Sequence, residues 1–240
     1  MPAATVVLLH GLSRTHFSMR RMANGLEKAG FRVLNSGYPT RVLGLAGLVD
    51  YVRRRLVAQA PPPDGEPVLH GVGHSLGGVV LRGVLADPPA PWRAGRLVTI
   101  AAPHRGARIV ELLLRHAPLR RWYGPVLADL AWECDSLRAL ATHGAGTVEV
   151  GAIFGSARFL PLSPATLINA GLGLQGTDGT VERSSACGAP WWPPFEDCIE
   201  VRRGHTFIAA DPAVIRQTVA FLKNGRFNHT AERVAARSDG

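Results

Sequence analysis

The sequence has few cysteines among its 240 residues and no long apolar run. The three cysteines, Cys134, Cys187 and Cys198, lack the paired C-x-x-C spacing of a structural zinc site, so we expect no metal. No stretch reaches the roughly eighteen uninterrupted apolar residues typical of a membrane-spanning helix. The first four residues lead directly into an apolar segment rather than into a secretion signal. We therefore expect no integral membrane association, and a cytoplasmic location unless a signal has been removed.

Acidic residues are scarce relative to basic ones, with 18 Asp and Glu against 27 Lys and Arg and a formal net charge of +9. Such an excess can attract polyanions. The arginines, however, fall in short separate clusters without interleaved aromatic residues, at Arg20-Arg21, Arg53-Arg54-Arg55, Arg120-Arg121 and Arg202-Arg203. This distribution favours solvated surfaces, and we expect no nucleic-acid partner.

Cys187 and Cys198 lie on either side of a segment rich in proline and tryptophan. In an oxidising compartment the two could be bridged, whereas partly buried free thiols suit a reducing cytosol. The sequence leaves both states open.

Short apolar runs alternate with amphipathic segments along most of the chain, a pattern typical of a parallel sheet with helices on both faces. We expect one doubly wound α/β domain over residues 1–225, with about six mostly parallel strands, and a flexible C-terminal tail over residues 226–240. The predicted strands are Val6–Leu9, Arg32–Leu34, Val68–Gly71, Leu97–Ile100, Val148–Ile153 and Cys198–Val201. The predicted helices are Phe17–Ala29, Leu45–Ala60, Leu76–Ala86 and Pro212–Lys223.

Residues 109–142 interrupt this alternation with a mostly helical insertion between two predicted strands. Helices placed above the strand ends could cap a binding cleft. Ordinary helices covering the sheet would give the same apolar pattern. Both interpretations remain open at this point.

The pattern G-x-S-x-G occurs at Gly73–Gly77, after an apolar run and before a predicted helix. This is the signature of a nucleophile elbow, in which a sharp turn between strand and helix exposes a serine hydroxyl. Ser75 is therefore the candidate nucleophile. The alternative is a glycine-rich turn that contains an incidental serine.

A serine nucleophile needs a base to take its proton and an acid to orient that base. Asp178 and His205 follow Ser75 in the order nucleophile, acid, base, and each lies in a loop after a predicted strand. Asp178 precedes a glycine and could instead be a structural turn residue. The competing acids are Asp129, Glu182 and Asp197, of which Glu182 is the nearest substitute.

A tetrahedral intermediate also needs hydrogen-bond donors for its oxyanion. The turn after the first strand, His10-Gly11-Leu12, would supply the amide of Leu12, and the helix after the elbow would supply the amide of Leu76. We interpret His74 and His104 as candidate residues of the substrate pocket.

These motifs together resemble the α/β-hydrolase superfamily, in particular compact bacterial lipases and esterases. The matching segments are Val6–Leu12, Gly73–Gly78, Ala102–Gly106, Asp178–Val181 and Gly204-His205. The resemblance implies an α/β-hydrolase fold that lacks the family's first two strands and has no large lid domain. The missing lid disfavours interfacial activation and favours an esterase.

The sequence thus predicts a serine hydrolase, without cofactor or metal, that acts through an acyl-enzyme. Its predicted substrates are small-molecule or lipid carboxylic esters, either lipid-like or with a short or medium acyl chain. One alternative is a thioesterase or acyltransferase that uses the same three residues. Another is a non-catalytic binding protein built on a hydrolase scaffold.

Overall fold

The computed structural model describes residues 4–59, 67–142, 148–156 and 177–230. Within these ranges six strands form one sheet in the order β2-β1-β3-β4-β5-β6, and every neighbouring pair is parallel. The strands are β1 (Thr5–Leu9), β2 (Arg32–Asn35), β3 (Val68–His74), β4 (Arg93–Ile100), β5 (Val150–Gly155) and β6 (Asp197–Val201). The predicted α/β architecture with six parallel strands is confirmed.

The helices of the described ranges cover the sheet and the edge at which its strands end. They are α1 (Arg20–Lys28), α2 (Leu45–Val57), α3 (Leu76–Ala86), α4 (Arg108–Leu114), α5 (Ala117–Tyr123), α6 (Asp135–Thr142), α7 (Arg183–Ala186) and α8 (Pro212–Asn224), with 3₁₀ helices at His16–Met19, Pro125–Leu130 and Ile208–Ala210. The second predicted helix was expected to reach Ala60, which lies outside the described residues, but α2 ends at Val57. None of the described helices is long and apolar enough to cross a membrane.

Both faces of the sheet are buried, as the near-continuous apolar sequence of β1 requires. Successive side chains of a strand point to opposite faces. Val6 and Leu8 therefore pack in one core with residues of α1 and α8, whereas Val7 and Leu9 pack in a second core with residues of α2 and α3. Because all strands are parallel, their carboxyl ends lie at one edge, which is where open α/β sheets bind their ligands.

The packed part of the chain continues beyond residue 225, where the sequence predicts the start of a flexible tail. Phe227 is 5% exposed, and its ring lies 4.9 Å from that of Phe221 in α8, measured between centroids. The Phe227 amide donates a hydrogen bond to the carboxylate of Asp197 at 2.7 Å. One aromatic side chain thus anchors this segment to the core, and the remainder of the predicted tail, residues 231–240, lies outside the described residues.

We expect Phe227→Ala to lower the free energy of unfolding by about 3 kcal/mol, because it empties a site in the core. Phe17→Ala is the matched control, since the Phe17 side chain is 67% exposed, and it should change stability by less than about 0.5 kcal/mol. Urea unfolding followed by circular dichroism measures both. Equal effects of the two substitutions would contradict the packing of Phe227.

Candidate active site

Ser75 occupies a left-handed backbone conformation between the end of β3 and the start of α3, with φ 53° and ψ −125°. Few residues other than glycine adopt positive φ, and such strain concentrates at functional sites. The Ser75 amide donates to the carbonyl of Ile100 at the end of β4, at 2.8 Å. The serine is therefore held at the edge of the sheet where the strands end.

The glycines of the G-x-S-x-G motif allow this turn by leaving room for backbone. A Cβ at Gly73 would overlap the backbone of Gly77 and Gly78. A Cβ at Gly77 would overlap the backbone of Leu9 and His10. Close approach of two backbone segments requires a residue without a side chain. The motif thus encodes a contact between the elbow and β1 as well as the turn itself.

Ser75, His205 and Asp178, the three residues proposed from the sequence, are in hydrogen-bond contact. His205 Nε2 lies 3.0 Å from Ser75 Oγ, and His205 Nδ1 lies 2.8 Å from Asp178 Oδ2. With its Nδ1 proton donated to the carboxylate, the imidazole leaves Nε2 free to accept from the serine hydroxyl. This is the relation between nucleophile, base and acid that activates a serine.

The Asp178 carboxylate is 2% exposed and is fixed by its own loop. Its Oδ1 accepts hydrogen bonds from the amides of Thr180 at 3.0 Å and Val181 at 2.8 Å, which leaves Oδ2 for the imidazole. The backbone also joins the two loops, because the His205 amide donates to the Asp178 carbonyl at 3.0 Å. The Asp178 and His205 side chains are therefore positioned together, because their two loops are joined directly to each other.

The three competing acids are bound elsewhere. Asp129 accepts from the Leu45 amide at 2.7 Å, at the start of α2. Glu182 Oε1 lies 3.3 Å from the Arg108 amide at the start of α4, and burial raises the pKa of this carboxyl. Asp197 accepts from the segment that contains Phe227. None of these carboxylates is hydrogen-bonded to His205 in the described part of the chain.

The Gly11–Leu12 turn, whose Leu12 amide is the predicted oxyanion donor, lies against the elbow. A Cβ at Gly11 would be 3.2 Å from the Cβ of Ser75. The Leu12 amide makes no hydrogen bond to any residue of the described ranges, and Leu76 is the first residue of α3, where the helix leaves its amides without partners. The backbone amides of Leu12 and Leu76 are therefore free to donate hydrogen bonds to a group bound near Ser75.

Two residues that the sequence did not single out hold this turn. Tyr38 donates its hydroxyl to the His10 carbonyl at 2.6 Å, and its ring lies 4.7 Å from that of His10. Thr40 Oγ1 accepts from the Ser13 amide at 3.2 Å. Both follow β2 in a loop without a motif, so only the fold brings them to the turn.

A cavity of about 200 Å³ opens beside Ser75 and His205. Its wall is largely apolar, and Arg14 is the one permanently charged side chain among its described residues. The 109–142 insertion contributes much of the apolar part of the wall. The lining residues of the insertion are Ile109, Val110, Leu113, Tyr123, Leu127 and Leu130. The insertion therefore lines part of the cavity beside Ser75.

A larger cavity of about 560 Å³ lies between α2, α3 and α6 and includes Asp129 and Ser136 in its wall. It shares no residue with the cavity beside Ser75. Its wall holds Ser136, whose hydroxyl donates to Asp129 Oδ1 at 2.6 Å, but among the described residues no histidine that could act as a base. The smaller cavity is the candidate active site, because Ser75 and its hydrogen-bonded partner His205 both line it. In the described ranges no group of three His, Cys, Asp or Glu side chains could hold a metal ion.

The two candidate pocket histidines have different positions. His74 lines the cavity, and its Nε2 lies 2.9 Å from the His205 carbonyl oxygen. Burial, together with the nearby His205, lowers the pKa of His74 well below its usual value, so this ring is neutral and donates to that carbonyl. His74 therefore braces the backbone of His205.

His104 does not line the pocket, contrary to expectation. Its side chain is completely buried, with Nε2 at 3.2 Å from Thr99 Oγ1 and the ring 5.2 Å from that of Phe195. Although His104 follows a strand end, its side chain turns beneath the site and packs with the segment after α7. Burial also lowers its pKa, and the ring is uncharged.

Comparison with known proteins agrees with this geometry. Residues 6–231 match the model of a family described as the alpha/beta hydrolase family. No curated protein matches the chain in sequence.

Solved structures with the same fold include a lipase, BlEst2 from Bacillus licheniformis. In its propeptide form the TM-score is 0.72 at 15% identity, covering 95% of this chain and 52% of that one. The chain thus spans about half of that form, but 89% of the mature lipase. The product of the gene lin2722 from Listeria innocua gives a TM-score of 0.61 at 18% identity over 92% of this chain and 94% of that one. The metagenomic carboxyl esterase MGS0156 gives a TM-score of 0.59 at 21% identity, over 85% of this chain and 65% of that one.

Proposed function

Since the chain belongs to the alpha/beta hydrolase family, we propose that it is a serine hydrolase that cleaves carboxylic esters through a covalent acyl-enzyme. The observation that carries this proposal is the continuous hydrogen-bonded path from Ser75 through His205 to Asp178. The lipase and esterase of the same fold are in keeping with this chemistry.

In the first half-reaction Ser75 Oγ attacks the ester carbonyl while His205 Nε2 takes the hydroxyl proton. The imidazolium that forms is stabilised by Asp178, which holds the Nδ1 proton and keeps Nε2 directed at the serine. His205 then returns the proton to the leaving alcohol. The Ser75 ester of the acyl group remains.

The amides of Leu12 and Leu76 donate to the oxyanion of the tetrahedral intermediate. A donor of this kind contributes roughly 2.7–4 kcal/mol to the transition state, and the amino-terminal end of α3 adds a favourable potential for negative charge. In the second half-reaction a water molecule, deprotonated by His205, attacks the acyl-enzyme and releases the carboxylic acid.

The wall of the cavity suggests an uncharged acyl group of short or medium length. Pockets for drug-sized ligands measure about 300–1,000 Å³, whereas this cavity measures about 200 Å³. Side chains such as Val110 and Leu127 would pack on an alkyl chain and gain free energy from its removal from water.

Thioester hydrolysis or acyl transfer is the second candidate, since Arg14 places a cation in the cavity wall. A carrier with phosphate groups would use this cation and the overall charge of +9. A non-catalytic binding protein is the third candidate, although such a protein has no need of an aligned serine, histidine and carboxylate.

We expect Ser75→Ala to reduce hydrolysis of p-nitrophenyl butyrate by about 10⁴-fold or more, because the nucleophile is lost. Ser184→Ala is the matched control, since Ser184 is exposed on α7. Initial rates and circular dichroism of both variants are the measurements. An undiminished rate for a folded Ser75→Ala protein would exclude Ser75 as nucleophile and favour the binding-protein alternative.

Asp178→Asn and Glu182→Gln distinguish the two nearest acids. Asp178→Asn should lower kcat on the order of 10⁴-fold, because an amide facing Nδ1 favours the wrong tautomer of His205. Glu182→Gln should keep most of the activity, since that carboxyl is buried with a raised pKa and contacts α4 instead. The reverse ranking of the two kcat values would assign the acid to Glu182.

A series of dissolved p-nitrophenyl esters from acetate to palmitate should give the highest kcat/KM at a short or medium chain, because the cavity is small. Parallel assays with emulsified esters should bring no increase for palmitate. A maximum at palmitate that is seen only in emulsion would indicate a lipase.

The same assays separate ester from thioester chemistry. Butyryl-coenzyme A should be a poorer substrate than p-nitrophenyl butyrate at both low and high salt. A preference for the thioester that weakens as salt rises would support a carrier held by exposed charge and the second candidate.

A further inference from the structure

Two of the three thiols of the chain meet outside the active-site cavity. The Sγ atoms of Cys187 and Cys198 are 3.0 Å apart, with Cys198 donating to Cys187, and both cysteines are free and half-buried. A disulfide bond measures about 2.05 Å, so the sulfurs need to approach by only about 1 Å. The third thiol, that of Cys134, instead donates to the Asp129 carbonyl at 2.9 Å.

The backbone on each side of this pair is fixed by regular structure. Cys187 follows α7 and its amide donates to the Arg183 carbonyl at 2.9 Å. Cys198 lies within β6, where it pairs with Ala152 of β5. Two thiols held in contact by a helix end and a strand have little conformational freedom to lose on bonding.

The segment between the cysteines is also anchored to the body of the protein. The Trp192 indole donates to the His104 carbonyl at 3.1 Å, and Arg82 donates to the Pro193 carbonyl at 2.7 Å. Arg82 additionally lies 4.3 Å above the centre of the Trp192 ring. The contact between the thiols is therefore maintained by α7 on one side, by β6 on the other, and by the anchored segment between them.

One thiol of the pair is suited to attack a disulfide. The hydrogen bond from Cys198, together with the guanidinium of Arg183, lowers the pKa of Cys187. The same contact and burial raise the pKa of Cys198. Because the thiolate is the attacking species in thiol–disulfide exchange, Cys187 reacts first and Cys198 is the resolving thiol.

We propose that Cys187 and Cys198 are a site of reversible disulfide formation by exchange with a low-molecular-weight disulfide such as glutathione disulfide. The Cys187 thiolate attacks one sulfur of glutathione disulfide and releases one glutathione thiolate. Cys198 Sγ then attacks Cys187 Sγ, loses its proton and releases the second glutathione. Two protein thiols are oxidised and one external disulfide is reduced to two thiols.

The bond would join the two segments that carry the acid and the base. Cys187 ends the helix that follows the Asp178 loop, and Cys198 belongs to the strand that leads to His205. A link between residues eleven positions apart removes freedom from the unfolded chain. The oxidised protein should therefore unfold at a temperature roughly 5–10 °C higher than the reduced protein.

The test is equilibration of the full chain with glutathione disulfide, followed by intact mass measurement, thiol titration after denaturation and peptide mapping. We expect a monomer lighter by two hydrogen atoms, one remaining thiol of the three, and a peptide that contains the Cys187–Cys198 link. Dithiothreitol should restore all three thiols and the lower melting temperature.

Cys134→Ser is the matched control, and it should form the bond as the wild-type chain does. Cys198→Ser should stop at a glutathione adduct on Cys187, because the resolving thiol is missing. Three free thiols in the equilibrated wild-type chain, a link to Cys134 or disulfide-bonded dimers would each overturn the proposal. The test involves no ester substrate, so its outcome is independent of the proposed function.

Discussion

Close packing of backbone against backbone around Ser75 is the constraint on which the site depends. The positive φ of Ser75 is a strained conformation of the kind that costs about 1–3 kcal/mol, and it persists only when the surroundings enforce it. Here Gly73 and Gly77 let the elbow approach α3 and β1, and the bond from the Ser75 amide to Ile100 secures the turn. A larger residue at either glycine would move the serine hydroxyl away from its partner.

The sheet and its loops bring the other side chains of the candidate site to Ser75. Parallel strands bring the segments that follow β1, β3 and β6 to one edge, and a backbone hydrogen bond joins His205 directly to Asp178. His74, kept neutral by burial, supports the same backbone from the side of the elbow. The His205 imidazole is therefore oriented by its main chain and by the Asp178 carboxylate, which would limit the reorganisation needed in the proposed reaction.

Those parts of the fold and site that depend on local chemistry could be predicted from the sequence. Apolar runs mark the strands, and the elbow with its downstream Asp178 and His205 follows from motif and order. Side-chain direction could not be predicted, because His104 follows a strand end as a pocket residue would, yet it turns into the core. Contacts between segments distant in sequence could not be predicted either. Examples are the hydrogen bond from Tyr38 to the turn after β1 and the packing of Phe227 on Phe221 of α8.

If Ser75 is a nucleophile activated for acyl transfer, it should react stoichiometrically with diethyl p-nitrophenyl phosphate. This reagent phosphorylates a serine only where a base and an oxyanion site activate it. We expect one diethylphosphoryl group per chain, mapped to the peptide that contains Ser75, and loss of esterase activity in proportion to labelling. A chain that stays unlabelled, or one that is labelled elsewhere with its esterase activity lost, would contradict this role of Ser75.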